Sequence, residues 1–265
     1  MAILEVSDLK QYFYLQPTFL GKLVGGAKPR IIKAVDGVSF NMQHGEILGV
    51  AGESGCGKST ACLAIAKLRE PTGGDILYKE HNIAEMSKSE TRNYRREVQL
   101  IFQDPYESLN PRYTVFDSVA EPLRALTDKS KAEIRERTNE TIALAGLTPE
   151  EYKNRYPHQM SGGERQRVGI AQALVLEPKL VIADEPLSML DVSIRAGILD
   201  LIRDLSKRMN FSCIYVSHDL SILSNISERL MIMYLGRIME LGVTRELITD
   251  PQHPEARARG GAGPS

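Results

Sequence analysis

The sequence predicts an α/β fold with a mainly parallel sheet, a small antiparallel β-subdomain and an inserted helical subdomain. Three observations carry this prediction. Short, continuously apolar runs alternate with helical patterns; the stretch from about 104 to 160 has helical patterns and no clear strand; and a hairpin-like segment lies near the C-terminal end. Strands of a parallel sheet are covered by helices on both faces, so they are apolar throughout rather than alternating.

The predicted parallel strands are residues 47–51, 98–102, 180–183 and 213–216. A helix is predicted after Asp191, because apolar residues recur there at helical spacing. That stripe consists of Ile194, Ile198, Leu201, Ile202 and Leu205. A second helix is predicted from Ser130 to about residue 145, since Ser130 and Glu133 have the spacing of a capping box.

Residues 3–6, 38–42 and 75–78 are predicted to form the antiparallel sheet, together with a hairpin made by 230–235 and 238–241 around Gly236 and Arg237. Residues 17–33 hold several glycines and cations and are predicted to be a surface loop. We expect residues 1–255 to form a single domain and the glycine-rich tail, 256–265, to be disordered.

Composition excludes several classes of protein. With 33 Lys+Arg against 34 Asp+Glu, the net charge is −1, which gives no broad attraction to nucleic acid or to an anionic membrane. Three cysteines provide neither a disulfide framework nor metal-ligand spacing, which indicates a reducing, cytosolic compartment. The first residues lack a signal pattern, and no apolar run approaches the ~20 residues that span a bilayer.

A phosphate-binding loop is predicted where an apolar strand meets a helical pattern. The pattern G-x-x-x-x-G-K-[ST] is filled by Gly52, Glu53, Ser54, Gly55, Cys56, Gly57, Lys58 and Ser59. Glycines let the backbone close around a phosphate, whose charge the helix N-terminus and Lys58 would balance, while Ser59 would ligate Mg²⁺. The alternative is a glycine-rich turn that precedes a helix without binding anything.

Acidic residues follow another predicted strand at the sheet edge where α/β folds bind ligands. Asp184 suits a Mg²⁺ shell, and Glu185 suits the polarisation of an attacking water. The alternative is a solvated acidic turn. His218 follows a third strand and is a candidate sensor of the γ-phosphate, although an isolated histidine there is more often an ordinary loop residue.

A second glycine-containing helix start is predicted at 161–167. Ser161 and Glu164 have the spacing of a capping box, which needs no ligand. Gly162 and Gly163 are not explained by the cap, because glycine destabilises a helix by roughly 1 kcal/mol per residue. Bare backbone at a helix N-terminus suggests a second anion site, shared across a head-to-tail dimer.

From about residue 4 to 254 the sequence resembles the nucleotide-binding subunit of ABC transporters, which have a P-loop NTPase core. GESGCGKST, through Thr60, matches Walker A, Gln103 the Q-loop and MSGGERQ the signature. LVIADEP matches Walker B, Asp191 closes the D-loop and His218 matches the switch histidine.

The resemblance implies ATP and Mg²⁺ as cofactors. It implies Glu185, His218 and Gln103 as catalytic residues, with Ser59, Gln103 and Asp184 on the metal. Two subunits would sandwich two ATP molecules, each between one chain's Walker A and the other's Ser161, Gly162, Gly163 and Glu164, with Asp191 nearby. An aromatic residue would stack on adenine; Tyr12 matches that position, with Phe13 and Tyr14 as neighbours.

The stretches AVDGVSF, FQDPYESLNPR and DVS resemble the ATPase subunits of oligopeptide and dipeptide importers more narrowly. This implies two transmembrane permease subunits, a second identical or homologous ATPase subunit, an external solute-binding protein as indirect partner, no nucleic acid, and a peripheral position at the cytoplasmic face of the membrane. Nickel importers and the carbon–phosphorus lyase ATPase share parts of these stretches and stay open as alternatives. A soluble ABC ATPase acting on nucleic acid or the ribosome is disfavoured, because those usually have two cassettes or coiled-coil insertions.

Overall fold

The computed structural model describes residues 2–15, 30–104 and 108–249. The predicted tail at 256–265 and residues 17–29 of the predicted surface loop lie outside the described residues. The strands are β1 Ala2–Leu15, β2 Arg30–Gln43, β3 Ile47–Gly52, β4 Gly73–Tyr78, β5 His81–Asn82, β6 Val98–Ile101, β7 Leu180–Asp184, β8 Ser212–Ser217, β9 Arg229–Tyr234 and β10 Arg237–Val243.

The α-helices are α1 Lys58–Ile65, α2 Lys88–Glu97, α3 Val115–Leu126, α4 Lys131–Leu144, α5 Pro149–Tyr152, α6 Gly162–Leu174, α7 Val192–Met209, α8 Leu220–Ile226 and α9 Thr244–Thr249. Short 3₁₀ helices lie at Ile83–Glu85 and Pro157–Gln159. The helix predicted from its capping box is α4, where Ser130 accepts from the Glu133 N–H and Glu133 accepts from the Ser130 N–H.

Six strands of the described chain form the main sheet, in the order β10-β9-β3-β8-β7-β6. The four apolar runs predicted as parallel strands are β3, β6, β7 and β8, and all four pair in parallel. Every residue of β3 and β8 is buried, because α1 packs against one face of the sheet and α6 and α7 cover the other. The carboxyl ends of β3, β7 and β8 therefore meet at one edge.

The hairpin around Gly236 and Arg237 exists as β9 and β10, but its predicted placement was wrong. β9 pairs in parallel with β3 and belongs to the main sheet, not to the antiparallel one. The reason lies in its burial: the inner residues of β9, from Leu230 to Met233, are all buried, as in a strand covered on both faces.

Four strands of the described ranges form the antiparallel sheet, in the order β2-β1-β4-β5. The predicted segments 3–6, 38–42 and 75–78 lie in β1, β2 and β4. Residues 30–33, which the sequence placed in a loop, are strand because they pair with β1 up to Leu15.

Helices α3, α4 and α5 lie between the two halves of the main sheet in sequence, and residues 104 and 108–160 contain no strand. They build a separate apolar cluster with one side of α6, which includes Val119, Leu123, Ile142 and Val168. The domain boundaries stay a prediction. Among the helices of the described ranges, none combines the length and the apolar character that crossing a bilayer requires.

Candidate functional site

The glycine-rich loop connects the carboxyl end of β3 to the start of α1. Gly57 has a φ of +107°, and a Cβ there would lie 2.0 Å from the carbonyl oxygen of Ala34, so only glycine fits. Gly55 also has a positive φ, but nothing lies within 4 Å of a Cβ built on it. Gly57 therefore seats the loop against β2, while Gly55 faces open space from which an anion can approach the backbone.

The start of α1 is electropositive. Its N-cap, Gly57, provides no side-chain hydrogen bond, and the first turn has no acidic residue. Lys58 is 4% exposed, and its Nζ donates to the carbonyls of Gly52 at 2.9 Å and Glu53 at 2.8 Å. The helix N–H groups and the ammonium thus lie together at the loop, an arrangement that suits a phosphate group.

A pair of oxygen ligands suited to a hard cation lies beside the loop. Ser59, in the first turn of α1, hydrogen-bonds to the carboxylate of Asp184 at the end of β7. The Oδ1 atom of Asp184 is buried without a hydrogen-bond partner in the described chain. Burial raises the pKa of Asp184, and the hydrogen bond from Ser59 opposes this. A hydroxyl and an unsatisfied carboxylate oxygen fit Mg²⁺, which is usually held by one or two protein ligands together with substrate phosphates and water.

Glu185 leaves the strand in a left-handed conformation, with a φ of +45°. Its N–H donates to Val216 O at 3.1 Å, and its carbonyl accepts from the N–H and hydroxyl of Ser188. The side chain, 16% exposed, lies between a lysine and a histidine: Oε1 is 3.8 Å from Lys58 Nζ, and Oε2 is 3.2 Å from His218 Nδ1. The backbone turn separates this carboxylate from that of Asp184.

Most of the predicted phosphate-side residues line one cavity. Its walls are Ser54, Gly55, Gly57, Lys58, Ser59, Thr60, Gln103 and Glu185. Gln103 also borders a neighbouring groove with Ser59 and Asp184. These side chains come from the P-loop, from the segment after β6 and from the end of β7, so the parallel sheet brings together groups that are distant in sequence.

The residues at the start of α6 are arranged differently. Ser161 and Glu164 form the predicted capping box: Ser161 Oγ accepts from the Glu164 N–H, and Glu164 Oε2 accepts from the N–H and hydroxyl of Ser161. A Cβ on Gly163 would lie 2.8 Å from Ile194 Cγ2, so close packing against α7 explains this glycine. None of these residues borders the cavity at the P-loop. Asp191, the N-cap residue of α7, is exposed.

The three aromatic candidates for base stacking lie in different surroundings on β1. Tyr12 donates its hydroxyl to Asp36 Oδ1, and Lys33 Nζ lies 5.3 Å from its ring centroid. The Phe13 ring lies 4.9 Å from the guanidinium of Arg69, which follows the far end of α1. Tyr14 is 63% exposed. The side chain of Tyr12 is therefore hydrogen-bonded to Asp36 of β2. Its contact with a base stays a prediction.

Sequence reasoning missed the residues that connect Tyr12 to the loop. The Asp36 N–H donates to Gly236 O at 2.8 Å, and the Gly236 N–H donates to Cys56 O at 2.9 Å. Arg237 donates to the Asp36 carboxylate from Nε and Nη2. Asp36 stood only as part of the AVDGVSF stretch, and Gly236 and Arg237 only as a turn. The opposite charges of Asp36 and Arg237 were the available signal, and nothing in the sequence pairs them.

Comparison with known proteins identifies a family for this chain. A family described as "ABC transporter" matches residues 35–188. The chain is 46% identical over 257 residues to the oligopeptide transport ATP-binding protein OppF of Escherichia coli, covering 97% of this chain and 76% of that protein. It is 44% identical to the dipeptide transport ATP-binding protein DppF of Haemophilus influenzae, with the same coverage.

A solved structure gives the same result for the fold. The dimeric, post-hydrolysis state of an ATP-binding cassette bound to ADP and Pi superimposes with a TM-score of 0.78 at 27% identity, covering 91% of this chain and 99% of the other. The fold predicted from the sequence is confirmed by this likeness. Sequence, site geometry and fold agree, and the chain belongs to the ABC transporter family.

Proposed function

We propose that this chain is the ATP-binding and ATP-hydrolysing subunit of a membrane importer for oligopeptides or dipeptides. The observation that carries the proposal is the single cavity in which the P-loop, Gln103 and Glu185 meet, with His218 hydrogen-bonded to Glu185. The substrate class is supported by the curated relatives, whose names specify oligopeptide and dipeptide transport.

In this proposal the loop binds the ATP phosphates. The N–H groups of the loop and of the first turn of α1 face the β- and γ-phosphates, and Lys58 neutralises their charge. Ser59, Asp184 and Gln103 would hold Mg²⁺, which neutralises phosphate charge when bound. Glu185 would orient a water for in-line attack on the γ-phosphate. His218, 3.2 Å from Oε2 of Glu185, fixes the direction of that carboxylate.

The second half of each site would come from another ATPase subunit, identical or homologous. The start of α6 lies away from this chain's own P-loop cavity, which supports its use in trans. The adjoining surface exposes two apolar side chains, Met189 at 61% and Val192 at 79%, on either side of the exposed Asp191. With ATP bound, two such surfaces would come into contact and close the dimer. Hydrolysis would break these contacts and reopen it.

The complete importer would contain two transmembrane permease subunits, with a solute-binding protein outside the membrane acting indirectly. The chain would then work as a peripheral subunit at the cytoplasmic face. Opening and closing of the ATPase pair supplies the mechanical step, while permease and binding protein select the peptide.

The test is uptake in the native host. Deletion of the gene is expected to abolish uptake of a labelled dipeptide or oligopeptide, and the wild-type gene is expected to restore it. The Glu185→Gln variant, expressed at the same level, should not restore it. Loss of nickel uptake with normal peptide uptake would assign the chain to the nickel importers instead. Failure of the purified wild-type protein to bind Mg·ATP would overturn the proposal as a whole.

A further inference from the structure

We propose that Asp36 and Arg237 are positioning residues that fix the Tyr12 ring at a set distance from the phosphate-binding loop. This inference rests on the proposed function, because it assigns Tyr12 to the base of a nucleotide. It adds a part of the site that the phosphate-binding motifs do not contain: a link between the antiparallel sheet and the β9–β10 turn.

The turn between β9 and β10 is attached to the loop by its backbone. The Gly236 N–H donates to Cys56 O at 2.9 Å, inside the P-loop. Gly236 has a φ of +80°, and a Cβ there would lie 2.9 Å from Lys33 O and 3.0 Å from Ala34 O. A side chain would push the turn away from β2, so glycine keeps loop, turn and β2 in contact.

The same turn is attached to Tyr12 through one carboxylate. Asp36 Oδ2 accepts from Arg237 Nη2 at 2.7 Å and from Nε at 3.2 Å, while Oδ1 accepts from the Tyr12 hydroxyl. Lys33 Nζ is 3.5 Å from Oδ1. These donors, led by Tyr12 and Arg237, lower the pKa of Asp36 to about 2, so the carboxylate is ionised at neutral pH. The Asp36 side chain is only 10% exposed.

Stability alone does not explain this arrangement. Arg237 is 62% exposed on its side-chain surface, and exposed ion pairs usually contribute little to folding. What the contacts do provide is direction: a phenol that is hydrogen-bonded at its oxygen rotates less freely about its Cα–Cβ bond. A short chain of hydrogen bonds thus links the Tyr12 hydroxyl to Asp36, Asp36 to Gly236, and Gly236 to the carbonyl of Cys56.

The experiment compares a ligand that has a base with one that lacks it. Isothermal titration calorimetry of the full chain with Mg²⁺ measures binding of the non-hydrolysable ATP analogue AMP-PNP and of inorganic tripolyphosphate. Tyr12→Ala is expected to weaken AMP-PNP about tenfold, within the range for loss of one base–aromatic stack. Tyr12→Phe, Asp36→Asn and Arg237→Gln are expected to weaken it about threefold. Tripolyphosphate affinity should change less than about twofold in each variant, because the cradle is untouched.

Two further variants separate positioning from general structure. Arg237→Lys keeps a charged donor and is expected to retain most of the affinity. Arg237→Gln combined with Tyr12→Ala should bind AMP-PNP no more weakly than Tyr12→Ala alone, since Arg237 acts through Tyr12. The matched control is Arg124→Gln, which breaks an exposed arginine pair to one carboxylate oxygen of Asp117 in the helical segment and should change neither ligand.

Four other results would overturn the proposal, and each would identify a different error in it. Equal losses for AMP-PNP and tripolyphosphate would mean that the turn acts on the cradle and not on the base. Additive losses in the double variant would mean that Arg237 acts independently of Tyr12. Unchanged affinity in Tyr12→Ala would remove Tyr12 from the base while leaving the proposed ATPase intact. A wild-type chain that binds neither ligand would fail the proposed function itself, and this inference with it.

Discussion

Two helices of this protein have glycines at their N-termini, and the two N-termini differ in how their backbone N–H groups are capped. At α1 the N-cap is Gly57, which supplies no side-chain hydrogen bond, and no acidic residue lies in the first turn. At α6 the N-cap is Ser161, and Glu164 in the first turn completes a capping box. The first N–H groups of a helix have no partner within it. At α6 side chains of the chain itself satisfy part of them, whereas at α1 no side chain caps them.

The glycines at the two helix N-termini also differ in backbone conformation and in packing. Gly55 and Gly57 have positive φ values, and open space lies beside Gly55. Gly162 and Gly163 are helical and pack against the D-loop and α7, through Leu190 and Ile194. In the proposed function the α1 start provides this chain's own half of the phosphate site, with Lys58 and Glu185 lining the same cavity. In the same proposal the α6 start acts only on the site of a second subunit, and this difference can be tested at each position.

The largest effect is expected at the carboxylate beside the α1 start. Glu185→Gln removes the charge that would polarise the attacking water, and turnover should fall at least about 100-fold, the usual contribution of a general base. Binding of Mg·ATP should persist, because the P-loop contacts remain. Steady-state phosphate release and a nucleotide titration measure the two quantities. Wild-type turnover in this variant would exclude Glu185 from the reaction.

The next effect concerns the glycines themselves. Gly57→Ala would place a Cβ 2.0 Å from Ala34 O in a left-handed conformation, so we expect destabilisation of about 3 kcal/mol or more. Gly55→Ala also has to adopt a positive φ, but its Cβ would contact nothing within 4 Å, so we expect a cost of about 1 kcal/mol. Urea unfolding measures both.

The matched pair at α6 sharpens the comparison. Gly163→Ala meets Ile194 Cγ2 at 2.8 Å, while Gly162→Ala meets only Leu190 Cδ2 at 3.4 Å and gains helix propensity. Gly162→Ala should therefore be the more stable of these two variants. The reverse order would mean that α7 moves aside and that packing does not explain Gly163.

The sequence predicts those features that depend on neighbouring residues, and it does not predict contacts between residues that are distant in the chain. The parallel strands, the two predicted capping boxes at Ser130 and Ser161, and the P-loop depend on neighbouring residues, so periodicity and spacing indicated them. The sheet to which β9 belongs depends on its partner β3, and the hairpin pattern alone does not contain that information. Asp36 and Arg237 are 201 positions apart, and His218 meets Glu185 across 33, so only the folded sheet brings them together.

Two serines provide a smaller contrast between the helix starts. Ser161→Ala removes the cap of α6 and should cost about 1 kcal/mol of folding stability, without changing Mg·ATP binding to the isolated subunit. Ser59→Ala does not remove a cap from α1, because the N-cap of α1 is Gly57. This variant should instead weaken Mg²⁺-dependent nucleotide binding. Unfolding curves and nucleotide titrations of both variants give four measurements. If the two variants behaved alike, the distinction between the starts would be wrong.

The smallest effect is a pH dependence confined to α6. Hydrogen bonds from Tyr152 and from Ser161 lower the pKa of Glu164, so the folded protein holds this carboxylate ionised at lower pH than the unfolded chain does. A depressed pKa contributes stability that is present above the unfolded value and is lost as pH falls through the folded one. Unfolding free energy should therefore decrease below about pH 4, the ordinary range of Glu, and Glu164→Gln should reduce that decrease by a fraction of a kcal/mol. Glu133→Gln at the matching cap of α4 should change the pH dependence in the same direction, because hydrogen bonds from Ser130 lower the pKa of Glu133 as well. The start of α1 has no acidic cap, so nucleotide-free stability should show no corresponding contribution from its first turn.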